Sequence, residues 1–125
     1  MPSASKHKTK ANSNLVALGQ IDIITAADWA AVIAFYTAVH LIEQLRALDG
    51  RHSINHLDRN EYVKNNHVAI HEDYRSLYDL SKIARYDSNE IFYRAIQPEE
   101  VHAILIDVKL KNITEYVDKY IAGRP

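Results

Sequence analysis

The run Arg51-His52-Ser53-Ile54-Asn55-His56-Leu57-Asp58-Arg59-Asn60 brings two guanidiniums and two imidazoles together in one short stretch. If it is helical from about residue 54, His56 and Arg59 share a face at i, i+3 spacing. Arg51 and His52 then sit at the positive end of the same segment. Backbone N–H groups there, with the guanidiniums and imidazoles, can hold a phosphate dianion or a strand backbone. An imidazole titrating near neutrality can take a proton from a ribose 2′-hydroxyl, while an arginine stabilises charge developing on phosphorus. The plainer reading of the same residues is a solvated loop whose arginines pair with Asp49, Asp58 or Glu61.

Seven histidines make metal binding the next question. His52/His56 and His67/His71 are both i, i+4 pairs, a spacing at which two imidazoles on one helical turn can share a metal. Glu43, Glu72 and Asp73 are carboxylates in range of such a site. Neither an HExxH zinc motif nor a Glu-x-x-His di-iron motif occurs, and the chain has no cysteine. No metal ligand or cofactor is therefore assigned, and a His-rich metal-binding bundle stands as a third reading. His40 has Tyr36 one turn before it and Glu43 and Gln44 one turn after. It reads as a hydrogen-bonded core or interface histidine, or as a polar residue lining a cleft between helices.

These groups need elements to position them. A chain of 125 residues is one domain by length. Its 47% apolar and 25% charged residues are ordinary for a globular protein and exclude a disordered chain, a fibre or a disulfide scaffold. Only three Gly and three Pro favour a few long helices over many short strands. The net charge of −1 is uneven: Lys6, Lys8 and Lys10 give residues 1–10 a local +3 and leave −4 on the rest. A mildly acidic body argues against a general nucleic-acid coat protein but leaves room for a small basic site.

Residues 1–14 are polar and basic with no apolar run, which predicts a disordered tail, no secretory leader and a cytoplasmic location. Residues 15–125 read as one helical domain. Leu15–Ile24 is expected to form a short helix and connector. From Thr25 as N-cap, with Asp28 facing the positive helix end, a long apolar helix runs over Ala26–Asp49 and stops at Gly50. At 1.5 Å per residue it spans about 36 Å. Its apolar run is too interrupted for a bilayer span, so no membrane is expected. A helix apolar on nearly all sides needs cover on nearly all sides. That predicts a central helix whose spare face meets a second copy, a homodimer through the 26–49 helix. Ser53 is placed to cap a short helix ending near Asn65. A further helix runs over Val68–Tyr86 with Ile70, Tyr74, Leu77, Leu80 and Ala84 at spacings of 3 or 4. Asp87–Gln97 reads as a loop. Pro98, with Glu99 and Glu100, opens a last helix whose stripe is Ile106, Leu110, Ile113, Val117 and Ile121. The fold class is all-α, an up-and-down bundle of four to five helices.

Three stretches carry a family likeness: Asp28–Gly50, His52–Val63 and Tyr74–Asp87. Within them stand Asp28-Trp29, Tyr36, His40, His56-x-x-Arg59, Tyr74-x-x-Leu77, Ser81 and Ala84-Arg85-Tyr86. Over about residues 15–122 this pattern resembles a bacterial branch of the HEPN superfamily. The resemblance implies a helical bundle that pairs into a homodimer. It also implies either a metal-independent ribonuclease, whose Arg-x(4–6)-His site forms where two copies meet, or a non-catalytic nucleotide-binding or protein-interaction module. Arg51-His52-x3-His56 satisfies that spacing, although it falls just after the long helix and not among the later helices. Arg94 to His102 and Arg59 to His67 are too widely spaced. In the catalytic form His56 is base or acid and Arg51 and Arg59 hold the scissile phosphate, leaving a 2′,3′-cyclic phosphate and a 5′-hydroxyl. His52, Tyr36, His40 and Arg85 are the accompanying ligand-binding candidates. The partners this implies are RNA or a nucleotide, and a toxin or antitoxin protein.

Overall fold

The computed structural model describes residues 3–86 and 98–124, apart from the side chains of Arg85, Tyr86 and Ile104. Among these residues there is no strand. The helices are α1 (Ala4–Gln20), α2 (Ala27–Leu48), α3 (His56–Asn66), α4 (His71–Tyr86) and α5 (Lys111–Ala122). A 3₁₀ turn, Val68–Ile70, joins α3 to α4, and a π-helical stretch, Glu100–Leu110, runs straight into α5. The all-α expectation holds. The loop expected at Asp87–Gln97, with Arg94, lies outside the described residues.

The N-terminus departs from the sequence expectation. The tail expected over residues 1–14 is helical from Ala4, capped by Ser3, whose Oγ accepts the Lys6 N–H at 3.2 Å. His7, Ala11 and Leu18 are buried, with Leu15 packed beside them, so the inward face repeats every three or four residues while Lys6, Lys8 and Lys10 stay in solvent. The short helix expected from Leu15 is only the end of this longer one.

Asp22 shapes the connector to α2. Its Oδ1 accepts the Ile24 N–H at 3.0 Å, and its carbonyl accepts the Ala26 N–H at 2.8 Å. Thr25, expected as the N-cap, instead donates its hydroxyl to the Asp22 carbonyl, and Ala26 takes the cap position without a side-chain hydrogen bond. Asp28 does stand in the first turn, where a carboxylate complements the helix dipole. At the far end Gly50 has φ +75°, its N–H reaches the Ala47 carbonyl, and the Arg51 N–H reaches the Arg46 carbonyl. This is the paired C-terminal closure that a left-handed residue permits.

The middle of the molecule is α2, packed on α1, α4, the π-helical stretch and α5. Thirteen of its 22 residues are buried, and only Asp28, Trp29 and Leu48 are exposed. By length and composition α2 could cross a bilayer, yet most of it lies inside the bundle. These neighbours supply much of the cover that α2 needs, while Trp29 near its start stays exposed. The expected stripe of α4 faces inward: Ile70, Tyr74, Leu77 and Leu80 are buried and Ala84 packs beside them. Leu110, Ile113 and Val117 do the same at the C-terminal end, flanked by Ile106 and Ile121. The π pitch of Glu100–Leu110 departs from the α-helix expected there, and no proline or glycine within the stretch explains it.

Two glycines should respond oppositely to alanine. Gly50→Ala places a Cβ in the left-handed region and should lower unfolding free energy by about 1–2 kcal/mol. Gly19 lies in α1 with open space where a methyl group would stand, so Gly19→Ala should raise it by about 0.5–1 kcal/mol. Urea denaturation of both variants checks the pair.

Candidate functional site

α3 begins two residues later than the sequence suggested. Asn55 is its N-cap, accepting the Asp58 N–H at 2.8 Å, so Ser53 is not the cap and His56 is the first helical residue. Ser53 is held from α2: its N–H donates to Glu43 Oε2 at 3.0 Å and its Oγ accepts from Arg46 at 3.0 Å. Arg46 also donates to Asp58 Oδ2 at 2.9 Å and stacks its guanidinium 4.5 Å from the centre of the Tyr62 ring. The same Asp58 oxygen accepts the Ile54 N–H at 3.0 Å. The backbone donors of Ser53, Ile54 and Asp58, which could have cradled a phosphate, are therefore engaged by this chain's own side chains.

Arg59 turns into the bundle. Its Nε donates to Glu43 Oε1 at 2.9 Å, with the two side chains only 11% and 6% exposed. Its Nη1 lies 2.9 Å from His56 Nδ1. Arginine can only donate, so His56 Nδ1 accepts, and the proton of a neutral His56 sits on Nε2. Burial works to raise the Glu43 carboxyl, but the hydrogen bonds from Ser53 and Arg59 and the charge of Arg59 outweigh it and hold Glu43 below its usual range. Burial likewise works to lower the Arg59 guanidinium, and Tyr74 and Glu43 overcome it, so Arg59 stays cationic. Burial pushes the Tyr74 phenol up to about 12 against the pull of Arg59. The Tyr74 hydroxyl lies by that guanidinium without a well-formed hydrogen bond among the described residues.

Arg51 and His52 are exposed and stand apart from this core. Arg51 lines an open cleft of about 470 Å³ with Arg46, Asp49, Asp58, Glu61, Tyr62, Asn65 and Asn66. The cleft sets two arginines against three carboxylates, and neither His56 nor Arg59 lines it. The three residues expected to act together on one phosphate are thus divided: His56 and Arg59 meet in a neutralised, inward pair, while Arg51 faces solvent on the cleft.

The remaining candidates separate further. Tyr36 is half-buried and packs edge-on to Phe35, with ring centres 5.2 Å apart. His40 faces α1, its Nδ1 3.0 Å from His7 Nδ1. The Arg85 side chain lies outside what is described. His52 precedes α3, so it shares no helical turn with His56. His67 follows the end of α3 and His71 opens α4, and both His67 nitrogens meet phenols, Tyr62 at 3.0 Å and Tyr116 at 2.8 Å. Among the described residues no three His, Asp or Glu side chains group as a metal site would need. Sequence reading missed His7 altogether, and assigned Arg59 to Asp49, Asp58 or Glu61 where Glu43 is its partner. A lone carboxylate inside the apolar run of α2 was the available signal, because such a group needs a cation.

No family model, curated protein or solved structure matches this chain.

Arg59→Leu should cost about 3–5 kcal/mol of stability, because it strands the Glu43 carboxylate in the interior. Glu43→Leu together with Arg59→Leu should recover most of that loss in a double-mutant denaturation series. Wild-type stability should also carry a Glu43 contribution that is complete above its ordinary value of 4.5 and is lost as pH falls through the lower folded-state value. The double variant should lack that acid-limb slope.

Proposed function

We propose that this chain is a HEPN-like module that works by binding a partner and not by cleaving RNA. The observation that carries the reading is the engagement of Arg59, and of the Ser53 and Ile54 N–H groups, by Glu43 and Asp58. A phosphate entering there would have to displace two carboxylates already hydrogen-bonded in its place, against like charge. The general-base arrangement also loses its electrophile, since Arg59 is neutralised and Arg51 points to a different surface.

The cleft beside Arg51 is the surface such a module offers. Tyr62, Asn65 and Asn66 supply an aromatic edge and amides, and Asp49 and Glu61 supply exposed carboxylates. Asp58 is held by Arg46 and Asp49 by Arg124, which leaves Glu61 beside Arg51 and suits a polar peptide segment carrying both signs of charge better than a nucleotide. A toxin or antitoxin partner, which the family resemblance implies, belongs to this protein class. A second reading keeps one observation in its favour: Arg51 makes no ion pair among the described residues, so its guanidinium can still meet a nucleotide phosphate.

Purified protein incubated with structured and unstructured RNA in EDTA should leave both intact, with no difference between wild type and His56→Ala. In a thermal-shift panel nucleotides should give no stabilisation, where a true ligand at one hundred times its dissociation constant would add about 2.7 kcal/mol. RNA cleavage that His56→Ala abolishes would overturn the binding reading. A nucleotide shift lost in Arg51→Ala would replace the peptide with a nucleotide.

A further inference from the structure

Away from that cleft, α1 is joined to α2 by two imidazoles. His7 is 8% exposed, and its ring centre lies 5.3 Å from that of His40. The 3.0 Å separation of their Nδ1 atoms is a hydrogen bond only if one nitrogen carries a proton and the other a lone pair. His7 Nε2 is buried with no partner among the described residues. An unpaired buried acceptor is more tolerable than an unpaired buried donor. His7 therefore donates from Nδ1 to His40 Nδ1, its Nε2 stays bare, and the proton of His40 sits on Nε2.

This arrangement has no good place for another proton. Added to His7, it creates an unpartnered N–H on a buried cation at Nε2. Added to His40, it drives two N–H groups head to head at the 3.0 Å contact. The surroundings do not rescue either form. From α1, Lys10 bears on His40, and Lys8 is turned outward to Asp118 of α5 at 3.5 Å. From α2, Glu43 attracts protons to both rings, and from α3 the Arg59 bound to it opposes that attraction. No charged group of α4 is found acting on the pair among the described residues. Burial, the largest influence on each ring, disfavours the charged form.

We propose that the His7–His40 contact is an acid-released latch that holds the N-terminal half of α1 on α2. That half has little else to hold it: before Leu15 its buried side chains are His7 and Ala11, and the rest are small, polar or basic. Both rings take up protons more readily in the unfolded chain, so the latch is complete above the ordinary value of 6.5 and is lost as pH falls through the folded-state values. Release would uncover the flank of α2 that α1 covers, giving an apolar surface that exists only under mild acid. This device is independent of what the cleft binds.

Amide hydrogen exchange on the full chain at about pH 7.5 and about pH 5, corrected for intrinsic rates, tests it. Protection over residues 6–13 should fall about tenfold or more at the lower pH, while the α4 amides around Tyr74 and Leu77 keep theirs. In the double variant His7→Leu, His40→Leu the same α1 amides should keep equal protection at both pH values. Wild-type ring-proton titrations by NMR give a readout that does not depend on that variant folding. Both midpoints should fall below 6.5 and track the α1 exchange. Midpoints at or above 6.5, unchanged α1 protection, or a loss spread equally over all helices would each overturn the latch.

Discussion

A carboxylate set into the most apolar helix of the chain decides where its neighbours lie. Glu43 is 5% exposed, and an ionised carboxylate left alone in such a place is destabilising by several kcal/mol. It is met by Arg59 from α3 and by the N–H of Ser53 in the preceding turn. Those two contacts tie the turn after α2, and α3 itself, back onto α2. Hydrophobic packing could not do this, because α3 buries only Val63 and its backbone lies close to α4 and the 3₁₀ turn. Its tie to α2 rests on the ion pairs of Glu43 with Arg59 and Arg46 with Asp58, with the His56 ring set beside Phe35. What the sequence presents as a cationic surface motif is, in the fold, the buckle that fastens one helix to another.

A second constraint is the area that α2 presents for cover. Counting apolar residues overstates the circumference that must be hidden, because five of the buried positions are alanines: Ala27, Ala30, Ala31, Ala34 and Ala38. Alanine offers little surface, and its small side chain lets neighbouring helices come close. The larger groups, Phe35, Leu41, Ile42 and Leu45, are enclosed by α1, α4, the π-helical stretch and α5. The demand for cover around α2 therefore depends on the area each residue type exposes, and not on residue type alone.

The parts of the fold legible in the sequence are those governed by local rules. The Ile70, Tyr74, Leu77, Leu80 stripe and the Gly50 stop needed only spacing and backbone freedom. The first half of α1 was hidden because its inward face is written in His7 and Ala11, an imidazole and a single methyl group, although their spacing is helical. Glu43 and Arg59 stand 16 residues apart across a helix end, and no periodicity joins them. The π pitch left no trace either, since its Ile, Val and Leu positions suit an α-helix equally. For the site the same division holds. The i, i+3 spacing that puts His56 beside Arg59 was legible, but whether an arginine faces solvent or a buried acid is settled by a partner on another helix.

The polar groups inside this bundle are connected. His7 touches His40, His40 stands one turn before Glu43 on α2, Glu43 holds Arg59, and Arg59 holds His56. Glu43 draws protons toward His7 and His40, and Arg59 repels them. While the ion pair is intact these two influences oppose each other, and burial is the largest influence on both histidines. If the 53–59 turn were pulled away from α2, Arg59 would leave and Glu43 would face the imidazoles alone, favouring their charged forms. A contact on α3 and the docking of α1 therefore share one electrostatic balance, although the two helices meet through α2 and its side chains.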